Sequence, residues 1–231
     1  MKINVLTYQC LHRKTYDTLS LLKVMGYNDV IVYGIPLFYT KKFKPIIEHR
    51  PDEAILNNLN LTWDSIVKNF NYTTIAINNY EEIILEEEAV FLVCGAGLLP
   101  RWFIKKYKVI NSHPGYLPYA RGLDALKWSI YENMPIGVTT HFIDDYIDAG
   151  EIIERKEVKL LANDTFHSLA RRVYETEINL LVCSLQHIDE EHLLFYGNEG
   201  VVHKRMPHKL EAELLNKFDE LKIKLTDKTY K

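Results

Sequence analysis

The run Ala89-Val-Phe-Leu-Val-Cys carries no charged or strongly polar side chain and is closed at once by Gly95-Ala-Gly. Such a run has strand length rather than helix length, and a strand that is apolar on both faces needs cover on both faces. It belongs in the middle of a parallel sheet flanked by helices. The residues before it agree. Lys2 to Thr7 reads as a strand, and Thr15 to Met25 has helical spacing through Tyr16, Leu19, Leu22 and Val24. Gly26 is a helix stop, and Asp29-Val-Ile-Val-Tyr-Gly is a second short strand. A β-α-β opening implies parallel pairing with a right-handed crossover. The expected class is α/β, a mostly parallel sheet flanked by helices.

The remaining pattern extends this frame. Residues 35–50 form a loop rich in aromatic and basic residues, and Pro51-Asp52-Glu53 starts a helix to about Leu61. Thr73 to Ile77 reads as a strand, Asn79 to Glu88 as an acidic helix, and Pro100 to Lys106 as a short helix. Gly122 to Asn133 reads as a helix. The stretches Gly137 to Ile143 and Glu151 to Lys159 read as strands around the loop Asp144 to Gly150. Asn163-Asp-Thr165 caps a long helix to about His187. Leu193 to Tyr196 and Val201 to Lys204 flank Gly197-Asn-Glu-Gly, a hairpin signal, and a charged amphipathic tail follows Pro207. The expected division is a domain over 1–187 and a small hairpin-and-helix extension over 188–231, with Leu193, Phe195, Tyr196, Val201 and Val202 exposed on the hairpin as a homodimer contact.

Charge and cysteine content narrow the partners. A net charge of −3 with a sequence pI near 6.3 argues against nucleic acid. Cys10, Cys94 and Cys183 are scattered, which suits a reducing cytoplasm better than a disulfide framework, and no metal is expected. The first residues read as a strand rather than a signal peptide, and no apolar run reaches membrane length, so no membrane is expected either.

The chemistry concentrates in Val109-Ile-Asn-Ser-His-Pro114. Side chains alternate along a strand, so Asn111 and His113 share a face. Pro114-Gly115 ends the strand, placing an amide and an imidazole side by side at a carboxyl-terminal strand tip, where open α/β sheets bind ligands. An amide N–H suits a developing oxyanion, an imidazole suits that oxyanion or a proton relay, and a carboxylate such as Asp148, followed by Ala149-Gly150, suits orienting the imidazole. This set points to acyl transfer; it implies no Ser or Cys nucleophile and leaves room for an amine substrate to attack directly.

A longer pattern then carries a resemblance. Asn111-Ser-His-Pro-Gly-Tyr-Leu-Pro, Arg121-Gly122, Trp128, Gly137-Val-Thr-Thr-His141 and Asp148-Ala-Gly-Glu-Ile-Ile, in that order, resemble the formyltransferases that use 10-formyltetrahydrofolate. The resemblance runs from about Phe91 to Val158. It implies a Rossmann-like sheet, and it places Asn111, His113 and Asp148 on the family's catalytic Asn, His and Asp. It also implies a pterin site between the Gly95 to Leu99 and Asp144 to Asp148 loops, with Gly97, Leu98, Leu99, Asp145 and Tyr146 as its positions here. His141 matches a recurrent family histidine and reads as supporting the site rather than forming it.

The resemblance leaves the acceptor open. The loop Tyr8-Gln-Cys-Leu-His-Arg-Lys has no glycine, unlike the Gly- and Ser-rich phosphate loop of the purine enzyme. A chain of 231 residues with net charge −3 is also unlike the longer tRNA enzyme with its basic C-terminal domain. The expectation is therefore a bacterial sugar N-formyltransferase acting on a nucleotide-linked amino sugar, of the dTDP-4-amino-4,6-dideoxyhexose kind, within lipopolysaccharide O-antigen synthesis. Glycinamide ribonucleotide and a non-catalytic nucleotide-sugar-binding role are the alternatives. Tyr8, Gln9, His12, Lys44, Arg50 and Arg121 are the expected substrate contacts.

Overall fold

The computed structural model describes residues 2–37, 44–48, 61–85, 88–146, 148–195 and 200–229, with 225–229 as backbone only. In chain order these form β1 (Lys2–Tyr8), α1 (Arg13–Val24), β2 (Val30–Ile35), α2 (Trp63–Asn69), β3 (Thr73–Ala76), β4 (Ala89–Val93), α3 (Arg101–Lys106) and β5 (Lys108–His113). Then follow β6 (Arg121–Gly122), α4 (Ala125–Tyr131), β7 (Gly137–Phe142), β8 (Gly150–Glu157), α5 (Phe166–Cys183), β9 (Leu193–Phe195), β10 (Val202–His203) and α6 (His208–Thr229). Eight strands make one sheet in the order β3-β2-β1-β4-β5-β7-β8-β9. The first five run parallel, and beyond β5 each strand is antiparallel to the neighbour before it in the sheet. β10 and β6 form a separate parallel pair.

The apolar run of β4 lies between β1 and β5 and feeds both faces. Val90 and Leu92 pack with Val5, Leu19, Leu22, Ile110 and Leu181 on the side of α1 and α5. Ala89 and Phe91 pack on the other side with Tyr33, Ile83, Phe103, Tyr107 and Val109. The Phe91 ring lies 4.9 Å from Phe103 and 5.2 Å from Tyr107, within the range of favourable aromatic contact. A third cluster joins Leu126, Ile130 and Phe166 to Met206, Leu214 and Phe218, so residues beyond 187 share a core with α4 and α5.

Three expectations change. The acidic helix over Asn79 to Glu88 is, among the described residues, only a 3-10 turn at Tyr80–Glu82. Tyr80 and Ile83 are buried in the core, the Tyr107 hydroxyl donates to Ile83 O and accepts from Leu85 N, and Glu82 accepts from the N–H of Asn78 and Asn79. Glu82 thus caps the turn, while Ile83 O and Leu85 N, which a helix would pair internally, are held by a side chain.

Among the described residues, the two arms of the expected hairpin Leu193 to Lys204 do not pair with each other. β9 pairs with the sheet edge at β8, burying Phe195 against Leu117, Ala149 and Ile152, while β10 pairs with β6. Long-range pairing overrides the local turn signal. Leu193, Val201 and Val202 are exposed as expected, but Phe195 is not.

α2 was not anticipated. Its signal is the reciprocal capping of Thr62 and Ser65 ahead of the buried Ile66 and Val67. The expected helix over residues 51–60, Tyr196, and most of the 35–50 loop lie outside the described residues. No helix among the described residues is long and apolar enough to cross a membrane.

Candidate active site

β5 delivers its side chains by strict alternation. Val109 faces the α3 side, Ile110 faces α1 and α5, and Asn111 follows Val109. Ser112 points back to α5, where its hydroxyl donates to Glu177 O at 2.9 Å. Lys14, a residue read as loop from the sequence, is buried in α1 beneath the same strand. Its Nζ lies 2.7 Å from Glu177 Oε1 and 3.3 Å from Ser112 O. The strand tip is therefore held from below by a buried ion pair.

Above it, His113 lies between two anchors. Nε2 is 2.6 Å from Ala120 O, and a carbonyl only accepts, so Nε2 carries the hydrogen. Nδ1 then faces Asp148 Oδ1 at 3.4 Å, with side-chain exposures of 6% and 15% for His113 and Asp148. The other carboxylate oxygen, Asp148 Oδ2, accepts from Gly122 N at 2.7 Å. Asp148 itself sits in left-handed backbone conformation at φ 45°, one of the less populated regions for a residue with a side chain. The turn that makes this fit is stapled by Thr139, whose hydroxyl accepts from Leu117 N and donates to Gly115 O. Gly115 is demanded by space: a Cβ there would lie 2.3 Å from Ala120 O and 2.5 Å from His113 Nε2.

Asn111 is oriented by His141. The His141 Nδ1 lies 3.0 Å from Ala149 O and 3.1 Å from Phe142 O, so it carries the hydrogen and leaves Nε2 to accept from Asn111 Nδ2 at 3.4 Å. Burial pushes the His141 pKa below its usual value; the Asp148 charge opposes that, and His113 adds to it. A neutral His141 is the form that can accept. Among the described residues no other partner takes the second N–H of the Asn111 amide. The site thus presents an amide donor, an imidazole able to hold a proton at Nδ1 and a carboxylate to balance it, the equipment of acyl transfer.

The two loops expected to hold a pterin follow β4 and β7, and the second ends at Asp148 of this set. Arg101, which follows the Gly95 to Leu99 loop, reaches Asp145 with Nε at 2.9 Å and a terminal nitrogen at 2.6 Å. Gly97 is exposed, Leu98 is 93% exposed, Leu99 packs partly on the core, and Tyr146 is 62% exposed with its N–H turned to Asp144 Oδ1. Apolar side chains left open around a fixed ion pair suit a flat heteroaromatic ligand. Among the described residues no cluster of His, Cys, Asp and Glu is arranged to hold a metal.

The expected substrate contacts are mostly occupied within the chain. The Tyr8 hydroxyl donates to Ala96 O, and Gln9 Nε2 bridges Gly34 O and Ile77 O at the strand ends. His12 Nδ1 meets Thr15 Oγ1, and Arg121 is buried with its guanidinium over the Phe195 ring, whereas Lys44 is exposed and bonds His208 through its backbone carbonyl. Arg50 lies outside the described residues. A concavity near 690 Å³ between α1 and α5, lined by Arg13, Asp17, Tyr174 and Glu175 among others, does not include Asn111, His113 or Asp148. Sequence reading did not single out Ala120, and it named Gly115, Gly122 and Thr139 as a strand stop or as parts of the motif without these roles, since three of the four act through backbone or through lack of a side chain and leave no polar signature.

A family model described as formyl transferase matches residues 69–185, just over half of the 231. The chain belongs to the formyl transferase family. Its matched region contains all of Asn111, His113, His141 and Asp148. A chicken protein, "Trifunctional purine biosynthetic protein adenosine-3", is 37% identical over 109 residues, 45% of this chain and 11% of that protein. A "dTDP-4-amino-4,6-dideoxyglucose formyltransferase" of Mycobacterium tuberculosis is 36% identical over 90 residues, 39% of this chain and 37% of that protein. The chain thus spans a minor part of the length of these relatives. Among solved structures, a sugar 3N-formyl transferase crystallised in the presence of dTDP and 5-N-formyl-THF superposes with a TM-score of 0.60 at 17% identity, covering 90% of this chain and 71% of that one. At that identity the likeness concerns the fold, a mostly parallel sheet with flanking helices.

Proposed function

We propose that this chain transfers a formyl group from 10-formyltetrahydrofolate to the amine of a nucleotide-linked amino sugar. The observation that carries the reading is the convergence of Asn111, His113 and Asp148 at the tip of β5, with His141 turning the Asn111 amide and Gly122 turning the Asp148 carboxylate. The folate supplies the activated formyl group. Gly97, Leu98, Leu99, Asp145 and Tyr146 are the residues we assign to hold it. Asn111 donates to the formyl oxygen as negative charge develops there. The amine forms its bond to the formyl carbon and the carbon–nitrogen bond to the folate breaks; the proton lost by the amine passes to the leaving folate nitrogen by way of His113 Nδ1, with Asp148 balancing the imidazolium. Fixed dipoles in a half-buried site do this without reorganising at the moment of reaction.

A sugar acceptor is favoured over a purine precursor by the Tyr8 to His12 segment. Its side chains are spent on Ala96, Gly34, Ile77 and Thr15, and it has no glycine with which to wrap a phosphate in backbone N–H groups. The purine reading is the second one, favoured by the chicken relative. By the same analogy we place the protein in the cytoplasm, in synthesis of a surface polysaccharide such as O-antigen. The homodimer expectation now rests on Leu193 and Leu194 at the free sheet edge rather than on a hairpin. Light scattering at micromolar concentration that returns only monomer removes it.

The test of function is formyl transfer from 10-formyltetrahydrofolate to dTDP-4-amino-4,6-dideoxyglucose, its 3-amino isomer, a UDP-amino sugar and glycinamide ribonucleotide, read by the mass of the added formyl group. Turnover on a sugar nucleotide supports the proposal. Turnover on glycinamide ribonucleotide alone selects the purine reading, and silence on all four, with folate still bound, returns the weight to a binding protein.

A further inference from the structure

His113 and Asp148 share one support. Ala120 supplies the carbonyl that fixes His113 Nε2, and Gly122, two residues on, supplies the N–H that fixes Asp148 Oδ2. Where the 120–122 segment sits therefore sets both members of the pair. Gly122 belongs to β6, and its φ of 86° is one that residues with side chains rarely adopt. A Cβ on it would lie 2.2 Å from His203 O.

What holds this segment comes from residues 200–206, outside the region matched by the family model. Val202 and His203 pair with Arg121 and Gly122, and Leu123 N donates to His203 O at 2.9 Å. Gly200 lies against the Pro118 carbonyl, the Trp128 indole N–H donates to Lys204 O, and Met206 N donates to Asp124 Oδ2. The segment is thus fastened at intervals from Pro118 to Trp128. The His203 side chain secures its middle. The ring is buried, stacks on Trp128 at 4.6 Å with a 30° tilt, and puts Nε2 3.2 Å from Glu132 Oε2. Its Nδ1 is buried without a hydrogen-bond partner, so the ring gains little by its second nitrogen and is placed by the stack and Glu132.

We infer that β10 completes the active site by positioning the His113–Asp148 pair, and that His203 is the positioning residue. The chain of contact is His203 to the backbone of β10, to β6, to Ala120 and Gly122, and so to the two side chains. The catalytic part of this inference rests on the function proposed above, whereas the geometric part does not.

The experiment uses the full chain with histidine labelled in ¹⁵N. The imidazole spectrum of His113, assigned by its loss in His113→Ala, needs no substrate. In the parent protein the account expects an Nε2–H tautomer with a downfield proton from the short bond to Ala120 O. In His203→Ala that resonance shifts or is lost, kcat falls by roughly 10²-fold as for a misplacement near 1 Å, and KM for the folate stays within about twofold because the folate loops are untouched. His203→Phe keeps a ring on Trp128 and restores most of both the resonance and kcat; if His203→Ala fails to fold, His203→Leu, which fills the space but loses the flat ring and the Glu132 contact, carries the test in its place. An unaltered His113 spectrum in a folded His203→Ala protein overturns the inference, even if the activity falls. Absence of formyl transfer by the parent protein overturns the proposed function and leaves the spectral result to decide the geometry.

Discussion

Gly115→Ala offers the sharpest probe of how tightly the site is built. The methyl group would enter 2.3 Å from Ala120 O and 2.5 Å from His113 Nε2, whereas Cβ atoms essentially never come within 3.0 Å of such neighbours. Ala120 O must therefore retreat by at least 0.7 Å and His113 Nε2 by at least 0.5 Å. These are the two atoms of the 2.6 Å hydrogen bond that fixes the imidazole, and neither is the end of a flexible chain. Because the methyl pushes on both, relief comes from rotating His113 away from Asp148 or from shifting the 120–122 turn, and either breaks the pair. Overpacking of this size costs about 1–3 kcal/mol of stability, which a domain of this length survives with a melting point lowered by several degrees. The displacement at the reacting groups is dearer, about 10²-fold in kcat/KM. Steady-state formyl transfer, read by product mass beside a thermal melt, separates the two effects. A Gly115→Ala protein with kcat/KM within about threefold of the parent would refute the reasoning, since the clash would have been absorbed without moving His113.

Other consequences are equally direct. Lys14→Met removes the buried cation 2.7 Å from Glu177, itself 2% exposed, which should cost about 3–5 kcal/mol and lower the melting temperature by on the order of 10 °C; Lys14→Met with Glu177→Gln should recover much of it, and a melt unchanged in the single variant speaks against the pair. Burial holds the His141 pKa below its unfolded value, so the unfolded chain takes up a proton first as the pH falls below about 6.5. Its contribution to stability is present in full above that value and is lost as the pH falls through the folded pKa. Urea midpoints should consequently drop more between neutral and mildly acidic pH in the parent than in His141→Gln, and parallel pH profiles would contradict this. Asn111→Ala removes the oxyanion donor and should lower kcat by about 10²–10³-fold with an unchanged far-ultraviolet spectrum.

Much of the fold could be read before the structure, for physical reasons that differ by segment. β4 was legible because a run apolar on both faces has few places to go, and Asn111 with His113 because a period of two leaves no choice of face. Asn79 to Glu88 misled because composition was read without its core anchors: Tyr80 and Ile83 are buried, and the Tyr107 hydroxyl captures backbone that a helix would use. The segment around Gly197 to Gly200 misled because a turn signal says nothing of which distant strand will compete, and here β8 and β6 both did. Within the site, the side chains that carry charge or polarity stood out. The groups that aim them, Ala120 O, Gly122 N and the space above Gly115, did not, because every residue has a backbone and only the fold says which one is used.

The measurement that bears most directly on the central claim is kcat for His113→Ala on whichever acceptor the parent protein formylates, with folding checked by melt and circular dichroism. An imidazole that holds the proton and helps stabilise the developing charge is worth at least about 10²-fold, so the account predicts a loss of that size or more in a protein that remains folded. A folded His113→Ala enzyme turning over at close to the parent rate would contradict the assignment of Asn111, His113 and Asp148 as the working set.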